Sequence, residues 1–286
     1  MPEALLIRDP KALVAWAEAR HRDNERIALV PTMGYLHEGH LSLVRAARKR
    51  PCRIVASIFV NPTQFGPKED LSRYPVDFEG DFGKLSSAGV DAVFAPEPAA
   101  MYPNGFDTYV VPGELAKGLC GASRPGHFRG VATVVHMLFQ LSRADVAYFG
   151  EKDFQQLAII KRMAKDLWLP VEVVGCPIVR EPDGLAMSSR NVYLSPDERR
   201  QALILSQALA RAEHAFAGGE RRAEALIASA RTVIDSASSA RIDYMDLVDA
   251  ESLRPVSEIV REAVMALAVF IGKTRLIDNR RLNPAS

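Results

Sequence analysis

Over its first two-thirds the sequence alternates short β-branched runs with longer amphipathic stretches, and no other feature limits the possible folds as much. The runs at 27–30, 53–60, 91–94, 108–111, 145–148 and 171–179 read as buried strands. The stretches at 40–50, 78–87, 130–141 and 154–167 place apolar residues at helical spacing. Strand and helix in regular succession predict βαβ units, an α/β fold with a doubly wound parallel sheet. Ligands of such sheets sit beyond the carboxyl ends of the strands. The residues that follow each run are therefore the candidates for function.

The pattern changes after Arg180. Glu181-Pro182-Asp183-Gly184 is a turn-rich break. Beyond it Ser195 can cap a helix, Pro196 suits its first position and Glu198 completes a capping box. Two helices separated by Gly218-Gly219 and two strands near 242–248 and 264–271 predict a smaller α+β domain. The expected division is 1–180 and 181–286, with a hinge at the break.

A length of 286 residues accommodates two modest domains. A net charge of +1 provides no field for nucleic acid or an anionic membrane, so neither is expected as a partner. The longest apolar stretch, 263–271, is too short to span a bilayer. The start of the chain lacks the pattern of a signal peptide. Cys52, Cys120 and Cys176 form no CxxC pair. These features together predict a cytoplasmic protein with reduced thiols.

The first chemical motif runs from Pro31 to His40 between a strand and a helix: PTMGYLHEGH. Gly34 and Gly39 allow close approach of a ligand, and the helix start suits phosphate. A P-loop is excluded because His40-Leu41 stands where Lys and Ser/Thr are required. His37 and His40 lack the HExxH spacing and a third ligand for zinc. Two histidines at such a turn favour a nucleotide site, although a histidine can also be a satisfied structural residue.

Three further stretches sit at comparable places. In FVNPTQF, Asn61 and Gln64 offer amides that can hold hydroxyls or carboxylates, and Asn61-Pro62 also suits a plain turn. In FGEKDFQQ, Lys152 suits phosphate, Asp153 suits ribose hydroxyls or a helix cap, and Gln156 follows about one turn later. In MSSR, Ser188, Ser189 and Arg190 could grip a triphosphate or be a solvated loop.

Together with SRPGHFRG at 123–130 and the MSSRN-x-YLS run, these motifs resemble the pantothenate synthetase family between about Pro31 and Leu194. The resemblance implies a Rossmann-like ATP and pantoate domain of the class I nucleotidyl transferase type. It also implies a smaller C-terminal lid and a cytosolic homodimer. The implied reaction joins pantoate to β-alanine through a pantoyl adenylate, consuming ATP with Mg²⁺ and releasing AMP and pyrophosphate.

By the same resemblance Met33, Gly34, Tyr35, Leu36, His37, Glu38, Gly39 and His40 line the ATP site. His40 is the catalytic residue, supported by His37 and Lys152. Gly150, Glu151, Lys152 and Asp153 hold phosphate and ribose, and Val179 packs near adenine. Met187, Ser188, Ser189 and Arg190 close on the phosphates. Gln64 and Gln156 hold pantoate, with Asn61 beside them. Members often carry a glutamate before the glycine that is Gly121 here, whereas this chain has Cys120. No protein ligand of the metal is implied beyond an outer-shell role for Asp81. A cytidylyl-type transferase, or a protein that binds ATP without chemistry, remains open on the residues alone.

Overall fold

The computed structural model describes residues 3–67 and 69–284, so the outer limits of the expected domains lie outside the described residues. Two compact units are present. The first contains the chain up to Pro112, Arg124–Glu151 and Gln156–Pro177. The second contains Gly113–Ser123, Lys152–Gln155 and the chain from Ile178 onward.

The first unit is built on six parallel strands: β1 (Leu5–Ile7), β2 (Arg26–Thr32), β3 (Cys52–Ile58), β4 (Ala92–Phe94), β5 (Val146–Gly150) and β6 (Glu172–Cys176). Their order is β1-β4-β3-β2-β5-β6. From β2 the chain steps outward through β3 and β4, then returns to lay β5 on the other side of β2. The strand order therefore reverses between β2 and β5, where open sheets of this kind bind ligands. Ala28, Val30, Ile54, Ala56 and Val146 are almost fully buried, as expected for strands covered on both faces. Helix Glu38–Ala47 packs Leu43, Val44 and Ala47 against them.

In the second unit β7 (Ala240–Asp249), β8 (Ala263–Ile271) and β9 (Thr274–Leu282) form an antiparallel sheet. Helices Ile204–Ala217 and Ala223–Ile234 cover one face, joining Leu205, Leu209, Leu226, Met265, Leu267 and Leu276 in one core. The capping box at Ser195 forms as expected, with Glu198 N–H donating to Ser195 Oγ (3.3 Å) and Ser195 N–H to Glu198 Oε2 (2.9 Å). Among the described residues no helix is long and apolar enough to cross a membrane.

The structure departs from the sequence reading at three places. The run 108–111 is not a strand, and Val110 N–H donates to Thr133 Oγ1 of helix His127–Ser142 (3.0 Å) instead of to a ladder. β1 was not anticipated, because three residues are too few to show a period, and neither was the 13-residue helix Pro10–Arg22 that follows it. β9 was also missed, because its inward positions include charges. Asp278 is 2% exposed and takes a bidentate pair from Arg180 (2.7 and 2.9 Å), while Arg280 meets Glu213 (2.8 Å).

The turn after β2 is fixed by a carboxylate. Gly34 (φ 84°) and Tyr35 (φ 51°) lie consecutively in the left-handed region. A Cβ on Gly34 would meet Asp81 Oδ2 at 3.1 Å and Ile58 at 3.2 Å, so glycine is required by both conformation and space. The N–H groups of Tyr35 and Leu36 converge on Asp81 Oδ2 (2.5 Å) and Oδ1 (2.7 Å). Lys84 lies 3.7 Å from the same carboxylate and donates to Leu36 O (3.0 Å). Asp81 is 1% exposed, so both oxygens rely on these partners.

Hydrogen bonds to a charged acceptor each contribute about 1.5–3 kcal/mol. Asp81→Asn retains one acceptor of two and should cost the fold about 2 kcal/mol. The midpoint of urea unfolding measures this, and an unchanged midpoint would show that the clamp contributes nothing.

Candidate active site

The helix that follows the clamped turn begins with a pair of histidines. His37 is the N-cap (φ −123°, ψ 177°), and its Nδ1 accepts from Gly39 N–H (3.1 Å). His40 reaches back so that its Nδ1 accepts from His37 N–H (3.3 Å). The two imidazoles thus form a capping box, a role usually filled by Ser/Thr and Glu/Gln. Their ring centroids are 4.1 Å apart. An Nδ1 that accepts leaves the ring proton on Nε2. Each ring therefore presents an Nε2–H at the positive end of a ten-residue helix, an arrangement suited to a phosphate oxygen.

Beside this turn Gln64 is held by a network of polar groups. Its Oε1 accepts from Asn61 Nδ2 (3.0 Å), and its Nε2 points to Met33 Sδ (3.2 Å). Asn61, 1% exposed, also donates to Gly130 O (3.2 Å) and accepts from Thr63 Oγ1 (2.9 Å) and Tyr102 OH (2.7 Å). Both of its amide hydrogens and both oxygen lone pairs are thereby used. Burial pushes the Tyr102 phenol up, against the opposing effect of its bond with Thr63. His127 donates from Nδ1 to Gln64 O (2.8 Å), leaving Nε2 to accept from Arg124 (3.0 Å). Arg124 also grips Glu69 (2.6 and 2.7 Å). Burial alone would raise the Glu69 carboxyl, but the Arg124 guanidinium outweighs it and holds the group below its ordinary value. At Gly130 the helix backbone comes so close that an added Cβ would lie 2.7 Å from Gln64 Cα.

Gly150 and Glu151 end β5 and begin the next turn, with Glu151 lying over Gly175 of β6. Gln156 follows on helix Phe154–Asp166, half-buried, and its amide has no partner among the described residues.

The second unit contains the remaining candidates. Lys152 is half-buried, and its Nζ has no anionic partner among the described residues. Asp153 is exposed. Val179 O accepts from Met187 N–H (3.0 Å), which joins the two across the Glu181–Gly184 turn. Ser188 Oγ caps the Ser189–Tyr193 turn by accepting from Arg190 N–H (3.3 Å), and Ser189 is buried. Asn191 fastens this turn to Glu181 Oε1 (2.7 Å). Cys120 is buried with its Sγ 3.9 Å from Arg275 Nη1, and Arg275 pairs with Asp243 (2.8 and 3.0 Å). The thiol thus lies beside a guanidinium whose charge is already met.

The first unit therefore assembles Met33–His40, Asn61, Gln64, Gly150, Glu151 and Gln156 along the carboxyl edge of its sheet. The second contains Lys152, Asp153, Val179 and Met187–Arg190. Sequence reasoning did not identify the bracket formed by Gln155. Its Nε2 donates to Leu115 O (2.8 Å) and Gly118 O (2.9 Å), and its Oε1 accepts from Cys120 N–H (3.0 Å). The repeated glutamine at 155–156 was its only signal. Asp81 was considered only for a metal, since nothing in its neighbourhood marks it as the partner of a turn 45 residues earlier.

Comparison with known proteins identifies the family. A family model described as pantoate-beta-alanine ligase matches residues 5–281. Pantothenate synthetase of Anaeromyxobacter dehalogenans is 58% identical over 284 residues, covering 97% of this chain and 98% of that protein. Pantothenate synthetase of Heliobacterium modesticaldum is 56% identical over 274 residues, covering 96% and 98%. The crystal structure of pantothenate synthetase from Thermus thermophilus superposes with a TM-score of 0.93 at 46% identity, covering 98% of this chain and 100% of that one. Pantoate-beta-alanine ligase from Francisella tularensis, complexed with beta-gamma ATP and beta-alanine, superposes at 0.79 with 33% identity, covering 97% of each. The chain belongs to the pantoate–β-alanine ligase family.

Proposed function

We propose that this chain condenses pantoate with β-alanine at the expense of ATP, through a pantoyl adenylate, releasing AMP and pyrophosphate. The observation that carries the reading is the histidine-capped helix start at the point where the sheet order reverses. Two Nε2–H donors there would meet the α-phosphate, where negative charge grows as the pantoate carboxylate attacks. Gln64 would orient that carboxylate. Among the described residues its amide N–H faces a thioether, a weak acceptor that an anionic oxygen displaces readily. Gln156 would supply the second amide, and Asn61 would act as the bracket that aims Gln64.

Lys152, Ser188, Ser189 and Arg190 are proposed to take up the charge of the departing pyrophosphate. Asp153 would serve the ribose, Val179 the adenine, and Met33–Leu36 with Gly150 and Glu151 the remaining wall. The amine of β-alanine then attacks the acyl carbon, and AMP leaves with one oxygen of the former carboxylate. Positioning of the two fragments supplies much of this second rate.

A magnesium ion would neutralise part of the triphosphate charge. Among the described residues no group of three or more His, Cys, Asp or Glu side chains could cage a metal, and both Asp81 oxygens are committed to the turn. That donor set fits an ion held by phosphate oxygens and water, with the chain holding the phosphates. The family resemblance supports a cytoplasmic homodimer, and we include both in the proposal.

His40→Ala should lower adenylate formation about 10²–10³-fold while ATP still binds, read by pantoate-dependent ATP–pyrophosphate exchange. His40→Gln separates the two roles of the residue, since glutamine at that position preserves the capping box. It should retain the stability of the wild type and still lose the exchange rate. Wild-type exchange in both variants would remove His40 from the chemistry.

Lys152→Ala should raise KM for ATP and leave KM for β-alanine unchanged, because an ammonium aimed at phosphates has no contact with the amine. Steady-state titrations that found only a β-alanine defect would reverse the assignment.

Turnover of pantoate labelled with ¹⁸O in its carboxylate should pass one labelled oxygen to AMP. Label in inorganic phosphate, with ADP as product, would instead mean an acyl phosphate and refute the adenylate.

A further inference from the structure

Asn279 is the one carboxamide of β9, buried at 5% exposure. A carboxamide buried to that degree is costly unless it is bonded. Its Nδ2 donates to the backbone carbonyl of Lys152 at 2.9 Å. Side chains alternate along β9, which decides what each residue can reach. Leu276, Asp278, Arg280 and Leu282 face the helices or their ion-pair partners. Arg275, Asn279 and Arg281 lie on the opposite face. Arg281 stacks its guanidinium over the ring of Phe154 at 5.0 Å, and Arg275 lies beside Cys120. Two residues of one strand thus hold the turn Glu151–Asp153 and its continuation from both sides of Asp153.

From this we infer that Asn279 is a positioning residue for Lys152: its amide fixes the main chain from which the Lys152 ammonium projects. The inference rests on the proposed phosphate role of Lys152. The sequence separation of 127 residues means that the last strand of the chain sets the aim of a group in its middle. Because the amide is bonded to the Lys152 main chain, its effect on ATP should pass through Lys152.

The test uses the full chain, with Asn279→Asp, which keeps the shape but removes the N–H donor, and Asn279→Ala, which removes the amide without adding charge. A net hydrogen bond corresponds to a factor of about three to ten. kcat/KM for ATP should fall by about that factor, with the KM values for pantoate and β-alanine held. Amide exchange at 152–156 should quicken in the same variants. Combined with Lys152→Ala, neither change should lower kcat/KM for ATP further. Unchanged exchange at 152–156 would overturn the positioning role, as would a full ATP effect in the Lys152→Ala background. Faster exchange with unchanged kcat/KM for ATP would uphold the positioning of the turn and remove Lys152 from ATP binding. If both Asn279 variants fail to fold, Arg281→Leu loosens the same turn from the Phe154 side and is read by the same two measurements.

Discussion

The buried carboxylate of Asp81 is the constraint on which the histidine site depends. A chain leaving β2 has to reverse within a few residues to start the helix at Glu38, and it does so by placing Gly34 and Tyr35 in the left-handed region. That conformation turns the N–H groups of Tyr35 and Leu36 the same way, and alone it would leave both without acceptors. A buried anion satisfies both at once. Without it the turn has no reason to persist, and the imidazoles that follow lose their fixed place. Gly34 is compelled by the same anion, since any side chain would press on it.

The fold class was legible because it is written in repetition. Buried parallel strands need long apolar runs, and the runs of β2, β3 and β5 supply them. Elements escaped where the repetition was too short or was masked by charge. β1 has three residues. β9 buries Asp278 only because Arg180, 98 residues away, neutralises it, and no window along the sequence contains both. The converse error at 108–111 has the same root. β-branched residues there pack beside a helix, and the donor of Val110 found a threonine hydroxyl before any strand.

The candidate site was legible in the residues proposed to face ligands and largely hidden in their supports. The residues proposed to meet phosphate cluster after strands, so position along the chain singles them out. Their supports are side-chain amides placed at long range: Asn61 on Gln64 and Gly130, Gln155 on the Leu115–Cys120 backbone, Asn279 on Lys152. An amide both donates and accepts without charge, so it can fasten one backbone to another inside a protein without the cost of burying an ion. Asparagine and glutamine are also common on surfaces, so their type alone reveals nothing about this use.

The histidine capping box has a consequence for how protons move in this enzyme. Backbone N–H groups occupy both Nδ1 atoms, so the tautomer of each ring is set by the helix start and not by the reaction. A ring held in this way cannot relay a proton from one nitrogen to the other without uncapping its own helix. In the proposed reaction His37 and His40 would therefore serve as electrostatic fixtures and not as shuttles. On that reading, the proton that the incoming ammonium sheds before it attacks would leave by a path that bypasses them both.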